Sequence, residues 1–282
     1  MDASPLILAF IADLNFSVRV ESAALLLGYR AIFIERMEQI APPEESVLER
    51  QYAEHLTGPG AVLIDLVTLW KPILIVFDLG NQAIPWLDWI SLLTSAPATR
   101  RIPVVCYGSH VETENLQAAK EAGARTVLAR SRFFSDLPNV LEKNARTVDM
   151  DELRISCNQP LSTEAQRGLE EFNRGAYFEA HESLEMAWMA EKSPGREVYQ
   201  AVLQVAVAYF QIERCNYKGA AKMFLRLRQW IDPLPDACRG IDIARLRAEA
   251  QAAYQALITL GPENIADFDR SLLRPVSYQV SQ

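Results

Sequence analysis

The densest run of chemically capable side chains is Tyr177-Phe178-Glu179-Ala180-His181-Glu182-Ser183-Leu184-Glu185-Met186-Ala187-Trp188. At about 100° per residue of an α-helix, Tyr177, Leu184 and Trp188 share one stripe. His181 and Glu185 fall between that stripe and Phe178, and Glu179 points nearly the opposite way. An imidazole and a carboxylate one turn apart are therefore expected to be partly buried together, where an unpartnered carboxylate is unstable. His181 is the first partner expected for Glu185. Gln200, Gln204 and Gln211, on one face of the next largely apolar segment, together with Arg196, extend this to a polar network. Read as catalysis, His181 and Glu185 would be metal ligands, with Glu182 a third ligand or a base. Against that, His-Glu-x-x-Glu lacks the second histidine of a zincin, no Glu-x-x-His pair is present, and His181 is the only histidine after residue 110. A structural polar network and a ligand pocket without metal are the competing readings.

A second set of polar residues stands at the ends of short apolar runs: Asp13, Asp78, Gly108-Ser109 and Arg130. The runs Leu6 to Ile11, Ala31 to Ile34, Ile73 to Phe77, Pro103 to Tyr107 and Thr126 to Ala129 read as buried strands, with helical patterns between them. Strands alternating with helices predict an α/β domain with a five-stranded parallel sheet covered on both faces. In such a sheet the working site lies beyond the carboxyl ends of the strands, which gathers these residues at one edge.

The runs Ile73 to Leu79, Ile102 to Val105 and Glu121 to Ala124 make roughly residues 5 to 145 resemble response-regulator receiver domains. The resemblance implies a flavodoxin-like fold, an acidic pair that binds Mg²⁺, a phosphoaccepting aspartate, a hydroxyl residue after the fourth strand and a lysine after the fifth. Asp78 matches the phosphoacceptor. Asp13 matches one acid of the pair, but its neighbours Ala12 and Leu14 carry no carboxylate. Gly108 stands at the hydroxyl position with Ser109 beside it, and Arg130 replaces the lysine, keeping the charge and changing its geometry. Mg²⁺ demands a strict octahedron of oxygens, so losing one ligand weakens its site. Pro42-Pro43 and the amphipathic run Glu44 to His55 add an expected inserted helix.

Residues 149–162 lose periodicity and read as a linker between a receiver-like domain, 1–148, and an all-helical domain, 163–282. Helical patterns cover about 163–174, 176–190, 195–214, 217–231 and 241–259. Tyr177, Ala180 and Leu184 are echoed by Tyr217, Ala220 and Phe224, the spacing of a two-helix unit in the tetratricopeptide style. Phe172-Asn173-Arg174-Gly175, Tyr177 to Glu182, Glu185, Trp188, Gln200 to Ala208 and Asn216 to Ala220 resemble the helical domain-of-unknown-function family numbered 309. Gln211 stands where that family usually has histidine, and the family brings a fold with no established activity.

The formal net charge of −8 argues against a general polyanion-binding surface. The row Arg214, Lys218, Lys222 and Arg226 reads as a solvated face. The apolar run Leu6 to Ala12 is too short for a signal core or a membrane span, so a cytoplasmic location is expected. Cys106, Cys157, Cys215 and Cys238 lie far apart with no Cys-x-x-Cys pair, and read as reduced packing residues outside any disulfide or zinc site. The combined expectation is a non-catalytic regulatory or signalling protein. Its pseudo-receiver would dock a protein partner or form a homodimer, and its helical domain would bind a partner or ligand. The alternatives are a metal-assisted hydrolase or other enzyme centred on His181, Glu182 and Glu185, and a working response regulator phosphorylated at Asp78 with Mg²⁺.

Overall fold

The computed structural model describes residues 4–40 and 59–279, which fall into two compact units divided between Thr147 and Val148. The expected helix Glu44 to His55 lies outside the described residues. The first unit runs β1 (Leu6–Phe10), α1 (Leu14–Leu26), β2 (Arg30–Phe33), α2 (Pro59–Trp70), β3 (Leu74–Asp78) and α3 (Trp86–Ser95). It continues through β4 (Val104–Gly108), α4 (Thr113–Glu121), β5 (Thr126–Ala129), α5 (Arg130–Ser135) and α6 (Leu137–Asn144). All the pairings are parallel, in the order β2-β1-β3-β4-β5, the flavodoxin-like arrangement. Each strand falls within one residue of its apolar run.

Side chains alternate between the two faces of a strand, and in β1, β3 and β4 both sets are apolar because both faces are covered. Leu8, Phe10, Ile75, Phe77, Val104 and Cys106 pack with residues of α2 and α3. Ile7, Ala9, Leu74, Val76, Val105 and Tyr107 pack on the other side with α1, α5 and α6. The register sets Asp78 beside Tyr107 and Gly108 beside Ala129, which brings Asp78, Ser109 and Arg130 to one sheet edge.

The second unit contains α7 (Met150–Cys157), α8 (Thr163–Asn173), α9 (Tyr177–Ala190), α10 (Glu197–Glu213), α11 (Tyr217–Ile231), a short hairpin β6 (Ala237–Cys238) and β7 (Ile241–Asp242), and α12 (Ile243–Leu260). Helices α8 to α11 pack each on the next. The α8–α9 approach is close because a Cβ on Gly168 would stand 2.7 Å from Leu184 Cγ. An aromatic chain runs through the core, Phe172 to Tyr177 at 5.3 Å, Tyr177 to Tyr209 at 5.4 Å and Tyr209 to Phe224 at 6.4 Å between ring centres. The echoed positions Tyr177, Ala180, Leu184, Tyr217, Ala220 and Phe224 are all buried.

Two expectations are corrected in this unit. The segment read as a linker carries α7, capped by the Asp149 carboxylate, which accepts from the Asp151 and Glu152 N–H groups at 3.0 and 2.9 Å. Leu153, Ser156 and Cys157 are the buried residues that hold it. Cys157 is also not a lone thiol: it forms a disulfide with Cys238 across 81 residues, their Cα atoms 4.3 Å apart. Spacing in the sequence could not reveal this pair, because folding the hairpin back onto α7 creates the proximity. Cys106 and Cys215 remain free. The C-terminal segment is tied down as well: Asn173 donates to the Val276 carbonyl at 2.9 Å and accepts from its N–H at 2.7 Å.

Candidate functional site

The α/β site begins with Asp78, at the last position of β3 and 5% exposed. Its Oδ1 accepts from the Gly80 N–H at 2.9 Å and from Arg130 Nη2 at 3.4 Å. Gly80 keeps this turn open, since a Cβ there would stand 3.0 Å from Arg130 Nη2 and 3.2 Å from Asp78 Oδ1 and press on both. Arg130 opens α5 and lies over the Phe16 ring, its Cζ 5.0 Å from the centroid. Behind it, Tyr107 stacks on Phe133 at 4.5 Å. Burial, and after it the Asp78 carboxylate, push the Tyr107 phenol far above its ordinary value.

The other members of the receiver set are differently engaged. Asp13 caps α1, its Oδ1 accepting from the Asn15 N–H at 2.8 Å and the Phe16 N–H at 3.4 Å. A hydroxyl residue at Gly108 would be tight: a Cβ there would meet both Leu79 and Leu116 at 3.3 Å. Ser109 accepts weakly from the Val111 N–H at 3.5 Å. The site thus presents two carboxylates, one capping a helix and one facing a guanidinium. Among the described residues no three His, Cys, Asp or Glu side chains are placed to hold a metal ion.

In the helical unit, α9 and α10 run side by side with Phe178 facing Phe210 at 5.7 Å. His181, Glu185 and Trp188 are half-buried along α9, and Glu182 is exposed. Neither a hydrogen bond nor an ion pair joins His181 to Glu185 among the described residues, which corrects the expected pairing. With Glu182 turned into solvent, these three residues also make no metal ligand set.

Gln200 and Gln204 do pair, Gln204 Nε2 donating to Gln200 Oε1 at 3.2 Å, and both are buried. Arg196 stands over the Trp188 ring with Cζ 4.8 Å from the centroid and donates to the Glu191 carbonyl at 3.1 Å. Trp188 meets Trp230 of α11 edge to face at 6.2 Å. Trp188 Nε1 and Gln204 Oε1 are buried without a hydrogen-bond partner. Gln211 instead accepts from Asn216 Nδ2 at 2.7 Å, at the turn into α11. That turn passes through Cys215 at a φ of 53°, where the sequence also reads a turn, and leaves Arg214 outside the helix that carries Lys218, Lys222 and Arg226.

Among the described residues of this unit the buried carboxylate is Glu171, which the sequence pattern did not single out. It is 3% exposed, accepts from Ser183 Oγ at 2.7 Å and Arg167 Nε at 2.9 Å, and has Arg174 Nη2 at 3.8 Å. Burial opposes its ionisation, but the Ser183 and Arg167 hydrogen bonds and the two arginine charges outweigh burial and hold its carboxyl below the usual range. Its signal in the sequence was the Arg-x-x-x-Glu-x-x-Arg spacing, which places both guanidinium groups one turn from the carboxylate.

With this geometry in place, the relationship of the helical unit can be stated. Residues 165–223 match the family model described as Domain of unknown function (DUF309). The DUF309 segment begins in α8 and ends within α11, so it contains His181, Glu185, Trp188, Gln200 and Gln204. The first unit is similar to solved receiver structures. One is a phosphorylated cyanobacterial phytochrome response regulator, 12% identical, with 50% of this chain and 94% of that chain covered and a TM-score of 0.36. Another is the receiver domain of a Pseudomonas aeruginosa PAO1 sensor histidine kinase with magnesium in its active-site cleft, at 14%, 50%, 98% and 0.38. A third is an orphan response regulator of H. pylori, at 17%, 50%, 96% and 0.34. No curated protein matches the sequence. The chain joins a five-stranded parallel α/β unit to a helical unit in which residues 165–223 match the DUF309 model.

Proposed function

We propose that this chain is a regulatory protein that works by binding. The α/β unit is a pseudo-receiver that docks a partner or a second copy, and the helical unit binds a partner or ligand along α9, α10 and α11. The observation that carries the first half is the engagement of Asp78: its Oδ1 is held by Arg130 and Gly80. Asp13, the other acid, caps a helix. A phosphoaspartate forms when a carboxylate attacks phosphorus with a divalent cation beside it, and this site offers a guanidinium and a two-carboxylate remnant.

Docking is supported by α1, where Leu14 (74% exposed), Val18 (50%) and Leu25 (66%) line one outward stripe. Binding in the helical unit is supported by two buried groups without a hydrogen-bond partner, Trp188 Nε1 on α9 and Gln204 Oε1 on the adjoining α10, α9 also carrying the half-buried His181 and Glu185. Buried polar atoms ordinarily have partners, so each group left open is a point where a ligand group or water could complete the bonding.

Acetyl phosphate with Mg²⁺, read by intact mass, tests the first half: no phosphoryl adduct is expected. A stoichiometric adduct on the wild type that is lost in Asp78→Asn would instead establish the working response regulator. Sedimentation of wild type against Leu14→Glu/Leu25→Glu tests docking by α1. Self-association, or retention of a captured partner, should be lost in the variant.

A further inference from the structure

We infer that Cys157 and Cys238 form a reversible redox site whose exchange partner is a small or protein-borne dithiol, and whose reduction unfastens α7 from the helical bundle. This inference is independent of the binding role proposed above. The pair joins a weakly rooted helix to a hairpin held by its own network. Helix α7 has eight residues, only Leu153, Ser156 and Cys157 of them buried, and its other side chains, including Met150 and Ile155 at 59% and 62%, face solvent. A helix this short has little stability of its own. Cys238 ends the two-residue strand β6 and is followed by Arg239 at a φ of 51°, the left-handed region that a non-glycine residue adopts only when its surroundings hold it there.

Those surroundings are specific. The Arg239 guanidinium donates to the Pro160 carbonyl at 3.1 Å, to Glu191 Oε2 at 2.8 Å and to Ser193 Oγ at 3.1 Å. This network keeps the hairpin side of the disulfide in place whatever the state of the sulfurs. The α7 side has less: the Ser156 hydroxyl accepts from the Gly195 N–H at 2.8 Å, and the Cys157 carbonyl accepts from the Arg239 N–H. Opening of α7 is therefore the low-energy route by which a reductant reaches the buried sulfurs. The reduced hairpin also has a partner waiting, since Cys238 Sγ lies 4.0 Å from the Gly195 carbonyl, an acceptor for the S–H that reduction creates.

The exchange balances as two thiol–disulfide steps. A thiolate of the dithiol attacks Cys157 Sγ, forming a mixed disulfide and expelling Cys238 as thiolate. The second thiolate of the reductant then attacks its own sulfur in that mixed disulfide, closes the reductant's disulfide and expels Cys157. Two electrons pass from the dithiol to the protein, and each expelled thiolate takes up one proton. With α7 unfastened, the connection that follows the α/β unit extends from Val148 to Leu161.

The test uses the full chain carrying Cys215→Ser, so that its exposed thiol does not interfere, with reduced dithiothreitol as the probe under native conditions. Alkylation and mass analysis should find both Cys157 and Cys238 free after treatment, and both protected again after oxidised dithiothreitol. Amide exchange from Leu153 to Asn158 should then accelerate at least ~10-fold more than exchange in α8 to α11. Trypsin should cleave after the exposed Arg154 before any site in α8 to α11. A pair that resists dithiothreitol until the protein is denatured overturns the inference. Reduction that leaves α7 exchange unchanged, or that speeds α7 and α8 to α11 by the same factor, overturns it too, because the bond is then a general staple.

Discussion

Glu171 and the glutamine pair illustrate how differently two buried polar groups can be held. Every strong acceptor position of Glu171 that faces the protein is matched by Ser183 or an arginine, whereas Gln204 keeps its Oε1 unmatched. Removing one partner of a satisfied buried bond costs about 1–3 kcal/mol. Glu171→Gln is accordingly expected to destabilise the helical unit by that amount in urea unfolding.

The pH dependence follows from the direction of the shifts. Glu171 and Glu191 both sit below the ordinary glutamate value of 4.5, Glu191 chiefly because the Ser193 N–H binds its carboxylate. Their contribution is therefore fully present above that value and is lost as pH falls through the lower folded pKa. In Glu171→Gln, the loss of stability as pH falls below 4.5 should be shallower than in the wild type. The double substitution Gln200→Leu/Gln204→Met gives the opposite expectation. It removes both amides and leaves no orphan of its own making, so stability should stay level or rise by about 1 kcal/mol. A marked loss would identify the pair as a structural strut and count against a binding role for it.

At the scale of elements, close approach is what fixes α8 on α9. Gly168 sits mid-helix, where alanine would ordinarily be favoured by about 1 kcal/mol, yet its Cβ would fall inside Leu184 and 3.3 Å from that residue's backbone nitrogen. Overpacking of this kind costs about 1–3 kcal/mol, so Gly168→Ala should lower the melting temperature by several degrees in spite of its helix propensity. The strands, in contrast, were plain in the sequence, because a parallel sheet covered on both faces writes its strands as uninterrupted apolar runs such as Leu74 to Phe77. Helix α7 was hidden for the reverse reason. Its eight residues bury too few side chains to leave a periodic signal, and its place is set by a hairpin far along the chain.

At the scale of the whole molecule, two units with separate cores should unfold separately. No helix among the described residues is long and apolar enough to cross a membrane. The Cys157–Cys238 bond closes a loop wholly inside the helical unit, and a disulfide of that span contributes about 2–4 kcal/mol. Reduction should therefore be felt within the helical unit, first at α7, and leave the denaturant transition of the α/β unit in place. Val76→Ala, buried in the sheet, should do the reverse, costing the α/β unit about 2 kcal/mol. Fluorescence from Trp188 and Trp230 reports the first transition and Trp89 the second.

The sequence by itself determined the sheet, the bundle and the gathering of Asp78, Ser109 and Arg130 at one edge, since periodicity and strand order are written locally and repeated along the chain. Tertiary structure alone decided how the polar side chains are spent. It placed Arg130 on Asp78, left His181 and Glu185 unjoined, put the buried charge on Glu171 and brought Cys157 to Cys238. Each of these outcomes depends on distances of a few ångströms between residues remote or rotated in sequence, and a pattern of residue types along one strand or helix carries no information about them.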